Sequence, residues 1–238
     1  MYRDKKIVAM IPARLGSQRV KLKNLRYLGD KLLSQWVSQA CIEANIFDEI
    51  YINSDADIFK TIAKESGVNF YKRPEILATN SATNDDFGLD FITNVHCDIL
   101  VQVNPTSPFT RAEDILGVID LFLDKGYKTV HTVKKEQIEG LYAGRPLNFD
   151  PTKQMPPSQD LEPIYLFTSS IMAWDVTTFR LNMKKTGCAV YGGSDSIGYY
   201  VIDGNGIIDI DYEKDFILAE TVLSSYNEKN MKGRYYDF

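Results

Sequence analysis

Two stretches of this chain combine residue types and spacings that suit phosphate chemistry. The first is Ile11-Pro12-Ala13-Arg14-Leu15-Gly16-Ser17-Gln18-Arg19-Val20-Lys21-Leu22-Lys23-Asn24. Arg14 and Arg19 can grip phosphate oxygens bidentately, while Lys23 adds a mobile point charge. Gly16 permits a positive φ and lets backbone N–H groups face an anion. A basic surface loop would carry the same residues, so position in the fold has to decide between the two. The stretch contains neither G-x-x-x-x-G-K-[ST] nor G-x-G-x-x-G, which argues against a Walker-type or dinucleotide loop. The second stretch is Asp209-Ile210-Asp211. On a strand, acids two residues apart share a face. Two hard oxygen ligands can hold Mg²⁺, or Mn²⁺, while its other positions keep water and phosphate oxygens. The same pair also fits a solvated strand end.

These groups need elements to position them. Residues 6–12 are a short apolar run closed by Pro12, the pattern of a buried strand. Leu32, Leu33, Trp36, Val37, Ala40, Cys41 and Ala44 recur at helical spacing. Further strands are expected at 49–53, 68–71, 98–103 and 127–133. Helices are expected near 56–66, 84–95 and 112–124, the first capped by Asp55 or a neighbour and stopped by Gly67. Beyond about residue 134 the pattern changes. Seven Gly and Pro residues between 140 and 165 break any helix and predict an excursion at about 138–165, an extended arm or hairpin. Residues 164–174 return to strand character, Asp175 reads as the N-cap of a short helix, 206–211 as a late strand and 212–224 as a closing helix. Strands alternating with helices of about 10–15 residues predict an α/β fold with a mostly parallel sheet covered on both faces. In such sheets ligands sit at the carboxyl ends of the strands, which directs attention to residues 12–24, 53–55 and 104–111.

Composition narrows the function classes. The 238 residues carry 27 Lys+Arg against 32 Asp+Glu, a net charge of −5, with 44% hydrophobic residues. A net-acidic chain is a poor general binder of nucleic acid, which demands a basic face. No apolar run is long enough to span a bilayer or serve as a signal peptide, so no membrane partner and a cytoplasmic location are expected. Three dispersed cysteines and two histidines argue against a disulfide framework or a zinc centre. The net charge hides an asymmetry, however. Residues 1–26 hold eight cations and one acid, Asp4, which points to a small anionic ligand near the N-terminus or to a solvated basic tail.

The segment IPARLGSQRVKLKNL resembles the opening signature of the acylneuraminate cytidylyltransferases, approximately A-R-x-G-S-K-x-x-x-x-K-N. Ala13, Arg14, Gly16, Ser17, Lys23 and Asn24 match it, with Gln18 in place of the usual Lys. Asn53-Ser54-Asp55 resembles the family's S-T-D, and Arg73-Pro74-Glu75-Ile76-Leu77-Ala78 its R-P-x-x-L-A, followed by the polar stretch Thr79 to Thr83. Asn104-Pro105-Thr106-Ser107-Pro108 resembles Q-P-T-S-P. Asp209-Ile210-Asp211 with Asp215 and Ala219-Glu220 resembles the closing D-I-D-T-x-x-D-x-x-x-A-E. The resemblance covers about residues 6–220.

The resemblance implies a single Rossmann-like nucleotidyltransferase domain over 1–238 that transfers CMP from CTP to the anomeric hydroxyl of a 2-keto-3-deoxy sugar acid, releasing pyrophosphate. It implies Arg14, Lys23 and Asp211 as catalytic residues, and Asp209 and Asp211 as ligands of Mg²⁺. Nucleotide contacts are implied at Ala13, Arg14, Gly16, Ser17, Lys23, Asn24, Arg73 and Asn104. Arg73 suits a nucleotide or phosphate contact or a surface ion pair, Asn104 a reader of a pyrimidine edge or a plain turn before proline, and Asp55 a helix cap or added charge at the metal site. The acceptor sugar is implied near Gln159, Tyr165, Thr168 and Ser169. There Phe167-Thr168-Ser169-Ser170 replaces the family's Asn-Gly pair, and Pro156-Pro157-Ser158-Gln159 replaces an upstream Arg. An acceptor other than ordinary sialic acid is therefore expected. The 138–165 excursion is implied to build a homodimer. Two other readings remain: a D-x-D glycosyltransferase that consumes sugar nucleotides, and a non-catalytic nucleotide- or sugar-binding homologue.

Overall fold

A computed structural model describes residues 1–193 and 196–227. The remainder of the expected 1–238 domain lies outside the described residues. In chain order the elements are β1 (Ile7–Pro12), β2 (Tyr27–Leu28), β3 (Lys31–Leu32), α1 (Leu33–Ala44), β4 (Glu49–Ser54), α2 (Ile58–Glu65) and β5 (Asn69–Lys72). Next come α3 (Asn84–Asn94), β6 (Ile99–Val103), α4 (Ala112–Lys125), β7 (Thr129–Glu136), β8 (Leu141–Tyr142) and β9 (Arg145–Pro146). The chain continues through β10 (Ile164–Asp175), α5 (Val176–Thr186), β11 (Ile197–Val201) and α6 (Glu213–Asn227).

Seven strands form the main sheet in the order β11-β7-β10-β6-β1-β4-β5. All neighbours are parallel except β10, which runs antiparallel to both β6 and β7. The sheet is therefore mostly parallel, as the alternation of strands and helices predicts. Ile7 through Ile11 of β1 are fully buried, as a strand covered on both faces must be. On one face α1, α2 and α4 pack around Val37, Phe59, Ile115 and Val101. On the other, Phe91 of α3 and Phe179 of α5 meet Trp174 and Leu100. Asp175 caps α5 as expected, its carboxylate accepting from the Thr178 N–H at 2.8 Å. Thr83 and Asp86 form a reciprocal capping box on α3.

A third, smaller core matters most for function. Val20, Leu28, Leu33, Ile210, Phe216 and Ala219 pack together, so the loop after β1 is held against the late acidic segment and α6. Arg26 reinforces this contact, lying 3.7 Å from the centre of the Phe216 ring and pairing with Glu213 at 2.6 Å.

The structure corrects two local expectations and narrows a third. Residues 206–211 are not a strand. A 3₁₀ turn spans Gly204–Ile207, and the extended residues after it pair with no strand; the Ile210 N–H instead donates to the Thr106 carbonyl at 2.7 Å. Strand β11 was not anticipated. It is an exposed edge strand beside β7, and Gly198 interrupts its pattern because the Tyr127 ring occupies the space a Cβ would need. Of the caps expected for α2, Asp55 or a neighbour, the N-cap position falls to the neighbour Asp57, and the Asp55 carboxylate accepts instead from the Leu15 N–H at 3.3 Å and supports the loop after β1. The Gly- and Pro-rich excursion does contain a hairpin, β8–β9, turned through Ala143 and Gly144, both at positive φ as a type I′ turn requires.

Candidate active site

A cavity of about 310 Å³ opens at the carboxyl ends of β1 and β6, at the low end of the usual range for small-molecule sites. Arg14, Ser17, Arg19, Lys23, Asn24, Arg73 and Asn104 are among the residues that line it. The loop after β1 is thus a wall of the cavity and not a solvated tail. Its shape is fixed from within. Ala13, fully buried, extends the ladder by donating to the Asn53 carbonyl at 3.0 Å. Asn24 donates to the Arg14 carbonyl at 2.9 Å, and Arg14 reaches the Thr79 carbonyl at 3.0 Å. The Asn24 Oδ1 is buried without a partner, as suits a group that waits for a ligand.

Gly16 plays a different part from the one its type suggests. It does not adopt a positive φ; Leu22 does, at 52°. A Cβ at Gly16 would meet open space, so the glycine leaves the backbone of the loop accessible rather than bending it.

Lys23 lies at the base of this wall. Its ammonium donates to the Ile210 carbonyl at 2.5 Å and lies 3.5 Å from Asp211 Oδ1. Burial lowers its pKa, and the charges of Asp211 and Asp209 oppose that shift. Asp209 and Asp211 keep the alternation expected of a strand, although no sheet is present: Ile210 between them is fully buried, and both acids act on Lys23. Burial raises the pKa of Asp209, and its Oδ1 has no partner. Asp211 is more open and pairs with Arg19 at 2.8 Å. Among the described residues no cluster of three or more His, Cys, Asp or Glu could hold a metal ion. Two carboxylates nonetheless fit Mg²⁺, which keeps several waters and takes substrate phosphate oxygens, and the unpartnered Asp209 oxygen is the kind of donor it requires.

Arg73 is buried rather than paired on the surface. Its guanidinium donates to Asn53 Oδ1 at 2.7 Å and to the Asn53 carbonyl at 3.0 Å, and it stacks 4.2 Å from the centre of the Phe87 ring. Burial pushes its pKa down to about 10, so it stays charged at neutral pH. Asn53 lies in the 53–55 segment to which the sequence directs attention, though no role is expected of it there, and Phe87 is a position the sequence reading does not single out. The only local sign was the polar run after Leu77, from which Thr79 and Asn80 also line the cavity.

Asn104 lines the cavity, but its amide is already engaged. It accepts from Gln102 at 2.8 Å and donates to the Ser169 carbonyl at 2.6 Å, so it works chiefly as a brace between β6 and β10. Ser169 sits in the irregularity of β10 between Phe167 and Met172, at φ 56°. Thr168 is buried and bonded to Thr132 at 2.8 Å. Gln159 and Tyr165 lie on the exposed excursion and the start of β10, and neither lines the cavity. The structure thus brings the nucleotide-loop residues, Arg73 and Asn104 together; of the expected acceptor residues only Ser169 touches them, through Asn104, and none of the four lines the cavity.

Residues 8–154 match the cytidylyltransferase family. The chain belongs to that family. It is similar to the N-acylneuraminate cytidylyltransferase of Escherichia coli O18:K1:H7, 28% identical over 95% of this chain and 54% of that protein. It is also similar to the N-acylneuraminate cytidylyltransferase of Oncorhynchus mykiss, 26% identical over 90% of this chain and 49% of that protein. The cytidylyltransferase chain described here thus spans about half the length of these curated relatives. Its fold is similar to that of CMP:2-keto-3-deoxy-manno-octonic acid synthetase solved with CTP, at a TM-score of 0.69 and 14% identity over 93% of this chain and 99% of that one.

Proposed function

We propose that this protein is a nucleotidyltransferase that moves CMP from CTP to the anomeric hydroxyl of a 2-keto-3-deoxy sugar acid and releases pyrophosphate. One observation carries the reading: the cations of the first loop line the cavity, and two of them, Lys23 and Arg19, pair with Asp211 of the late acidic segment, which lies just outside the lining. Triphosphate chemistry asks for that juxtaposition, because charge must be neutralised on both the transferred and the leaving phosphates.

In this reading Arg14 and Lys23 bind the triphosphate and hold the negative charge that builds on the departing pyrophosphate. Arg73, fixed by Asn53 and Phe87, holds the nucleotide from the opposite side. Asp209 and Asp211 would hold Mg²⁺, which supplies Lewis-acid polarisation of the α-phosphate when bound. Asn104 and Ser169 set the wall between nucleotide and acceptor. Positioning and electrostatics suffice here, and no covalent intermediate is needed. The altered 156–170 segment supports an acceptor other than ordinary sialic acid. The exposed Ile138, Leu141, Tyr142, Leu147 and Met155 of the excursion support its use as the arm of a homodimer. No described helix is long and apolar enough to cross a membrane, and we place the enzyme in the cytoplasm, where CTP is available.

Phosphorus NMR of a mixture of enzyme, CTP, Mg²⁺ and a panel of 2-keto-3-deoxy sugar acids tests the reaction. A new phosphodiester resonance together with inorganic pyrophosphate is expected. Nucleoside diphosphate formed from a sugar nucleotide, with CTP unchanged, would refute it. Light scattering tests the dimer, and a monomer across micromolar concentrations would exclude it.

A further inference from the structure

Among the described residues, Arg19 is the cation of the first loop that lies nearest to a carboxylate of the late segment: its guanidinium contacts Asp211 Oδ1 at 2.8 Å and lies 5.1 Å from the centre of the Tyr212 ring. Arg14 instead bonds a backbone carbonyl, and Arg73 the amide oxygen and carbonyl of Asn53. Lys23 stands 3.5 Å from the same Asp211 oxygen. Two cations therefore face Asp209 and Asp211, with the Asp215 carboxylate also close by on the Asp211 and Tyr212 N–H groups. A divalent cation arriving alone meets a site in which Asp211 is already paired. Asp209, in contrast, offers an unpartnered oxygen. Arg19 also lines the cavity, so its side chain, about half exposed and held only by Asp211 and Tyr212, stands between the acid and the space a phosphate would fill. Lys23 does not exchange in this way: it is buried and tied to the Ile210 carbonyl, and its remaining ammonium donors can serve a phosphate from where it stands.

We propose that Arg19 is an exchange residue: in the free enzyme it neutralises Asp211, and on nucleotide binding it swings to the triphosphate and leaves Asp211 open to the metal. The proposal rests on the reading of Asp209 and Asp211 as the metal pair. A triphosphate carries several negative charges and competes strongly for a guanidinium, whose planar fork matches phosphate geometry. The loop thereby couples the two ligands. Nucleotide binding raises metal affinity at Asp211, and linkage makes the effect reciprocal. Metal binding without nucleotide is correspondingly suppressed. The cation that the family signature places at position 18, where this chain has Gln18, is thus carried one residue later, at a position that reaches the acid.

The test uses single ligands on the full chain. Mn²⁺ alone is titrated by electron paramagnetic resonance into wild type, Arg19→Gln, Arg19→Lys and Asp209→Asn. CTP alone is titrated calorimetrically in EDTA. Arg19→Gln should tighten Mn²⁺ binding by about threefold to tenfold, the size expected for one partly exposed charge near a dication. The same variant should weaken CTP binding in EDTA. Opposite shifts for the two ligands are not what a merely structural arginine would give. Arg19→Lys keeps the charge and should keep Mn²⁺ binding weak. Mn²⁺ affinity that is unchanged or weaker in Arg19→Gln, while Asp209→Asn still abolishes binding, would overturn the exchange and spare the metal pair. Mn²⁺ binding that is indifferent to Asp209→Asn would overturn both.

Discussion

Replacing Lys23 by Met separates the catalytic role of this residue from its structural one. Methionine keeps the length and most of the apolar contact of the buried side chain but removes the charge. On the structural side, the variant loses one charge-assisted hydrogen bond, to the Ile210 carbonyl, worth about 1.5–3 kcal/mol. It also recovers the cost of keeping an ammonium out of water, the same burial that lowers the Lys23 pKa, a penalty of several kcal/mol per ion that the Asp211 contact offsets only in part. The two terms nearly cancel, so stability should change by no more than about 1 kcal/mol, or roughly 2–4 °C in Tm for a chain of this size. On the catalytic side nothing compensates. A preorganised donor aimed at developing charge is worth ~2.7–4 kcal/mol, so kcat should fall by about 10²–10³. Differential scanning fluorimetry reads the first quantity, and a coupled pyrophosphate assay under saturating CTP reads the second. If Lys23→Met retains kcat to within about threefold, roughly 0.7 kcal/mol, Lys23 does not act on the transition state and the mechanism is wrong. A fall in Tm by tens of degrees would instead make Lys23 a structural residue.

Other perturbations address the surrounding parts. Asn53→Ala leaves the buried Arg73 guanidinium without its 2.7 Å acceptor; urea denaturation should show a loss of about 1.5–3 kcal/mol, and unchanged stability would mean that water or Phe87 alone satisfies Arg73. Ser169 pays for a left-handed backbone that glycine adopts freely, so Ser169→Gly should raise stability by roughly 0.5–1 kcal/mol, whereas a lower Tm would show that the Ser169 side chain holds the bend. His131 is buried, stacked on Tyr191 and bonded at 2.8 Å to the Val190 carbonyl, and burial lowers its pKa. The folded state therefore binds its proton less readily than the unfolded state, whose value is about 6.5, and stability must fall as pH drops below that value. Denaturant midpoints between about pH 7.5 and 5.5 should decline in wild type and flatten in His131→Gln; parallel curves would exclude His131 as the source.

Much of this architecture is legible in the residues, and the exceptions have physical causes. The apolar run at 7–11 and the stripe through Val37 and Cys41 mark β1 and α1 because burial there is nearly complete. The cap at Asp175 is equally plain, since its carboxylate needs only the local backbone. Strand β11 is obscured because it lies at an edge and carries Gly198 opposite Tyr127. Residues 206–211 carry strand-like alternation, yet the loop after β6 takes the Ile210 N–H through Thr106, so the pattern serves a loop contact and not a sheet. The basic loop and the acidic pair were both readable, and the resemblance joined them in function. Their contact through Lys23 and Arg19 spans about 190 residues and rests on the small core around Val20, Ile210 and Phe216. No local spacing encodes such a contact. The holding of Arg73 by Asn53 and Phe87 is hidden for the same reason, because both contacts join separate elements and no local pattern marks them.

The central claim is that the cavity transfers CMP from CTP to a sugar acid. Pyrophosphate release measures it most directly, with each nucleoside triphosphate supplied in turn against a panel of 2-keto-3-deoxy sugar acids in Mg²⁺. The account predicts release that requires both CTP and a sugar acid, and that disappears in Lys23→Met and Asp211→Asn. Release that is independent of the acceptor, or equal with every nucleotide, or preserved in both variants, would contradict it.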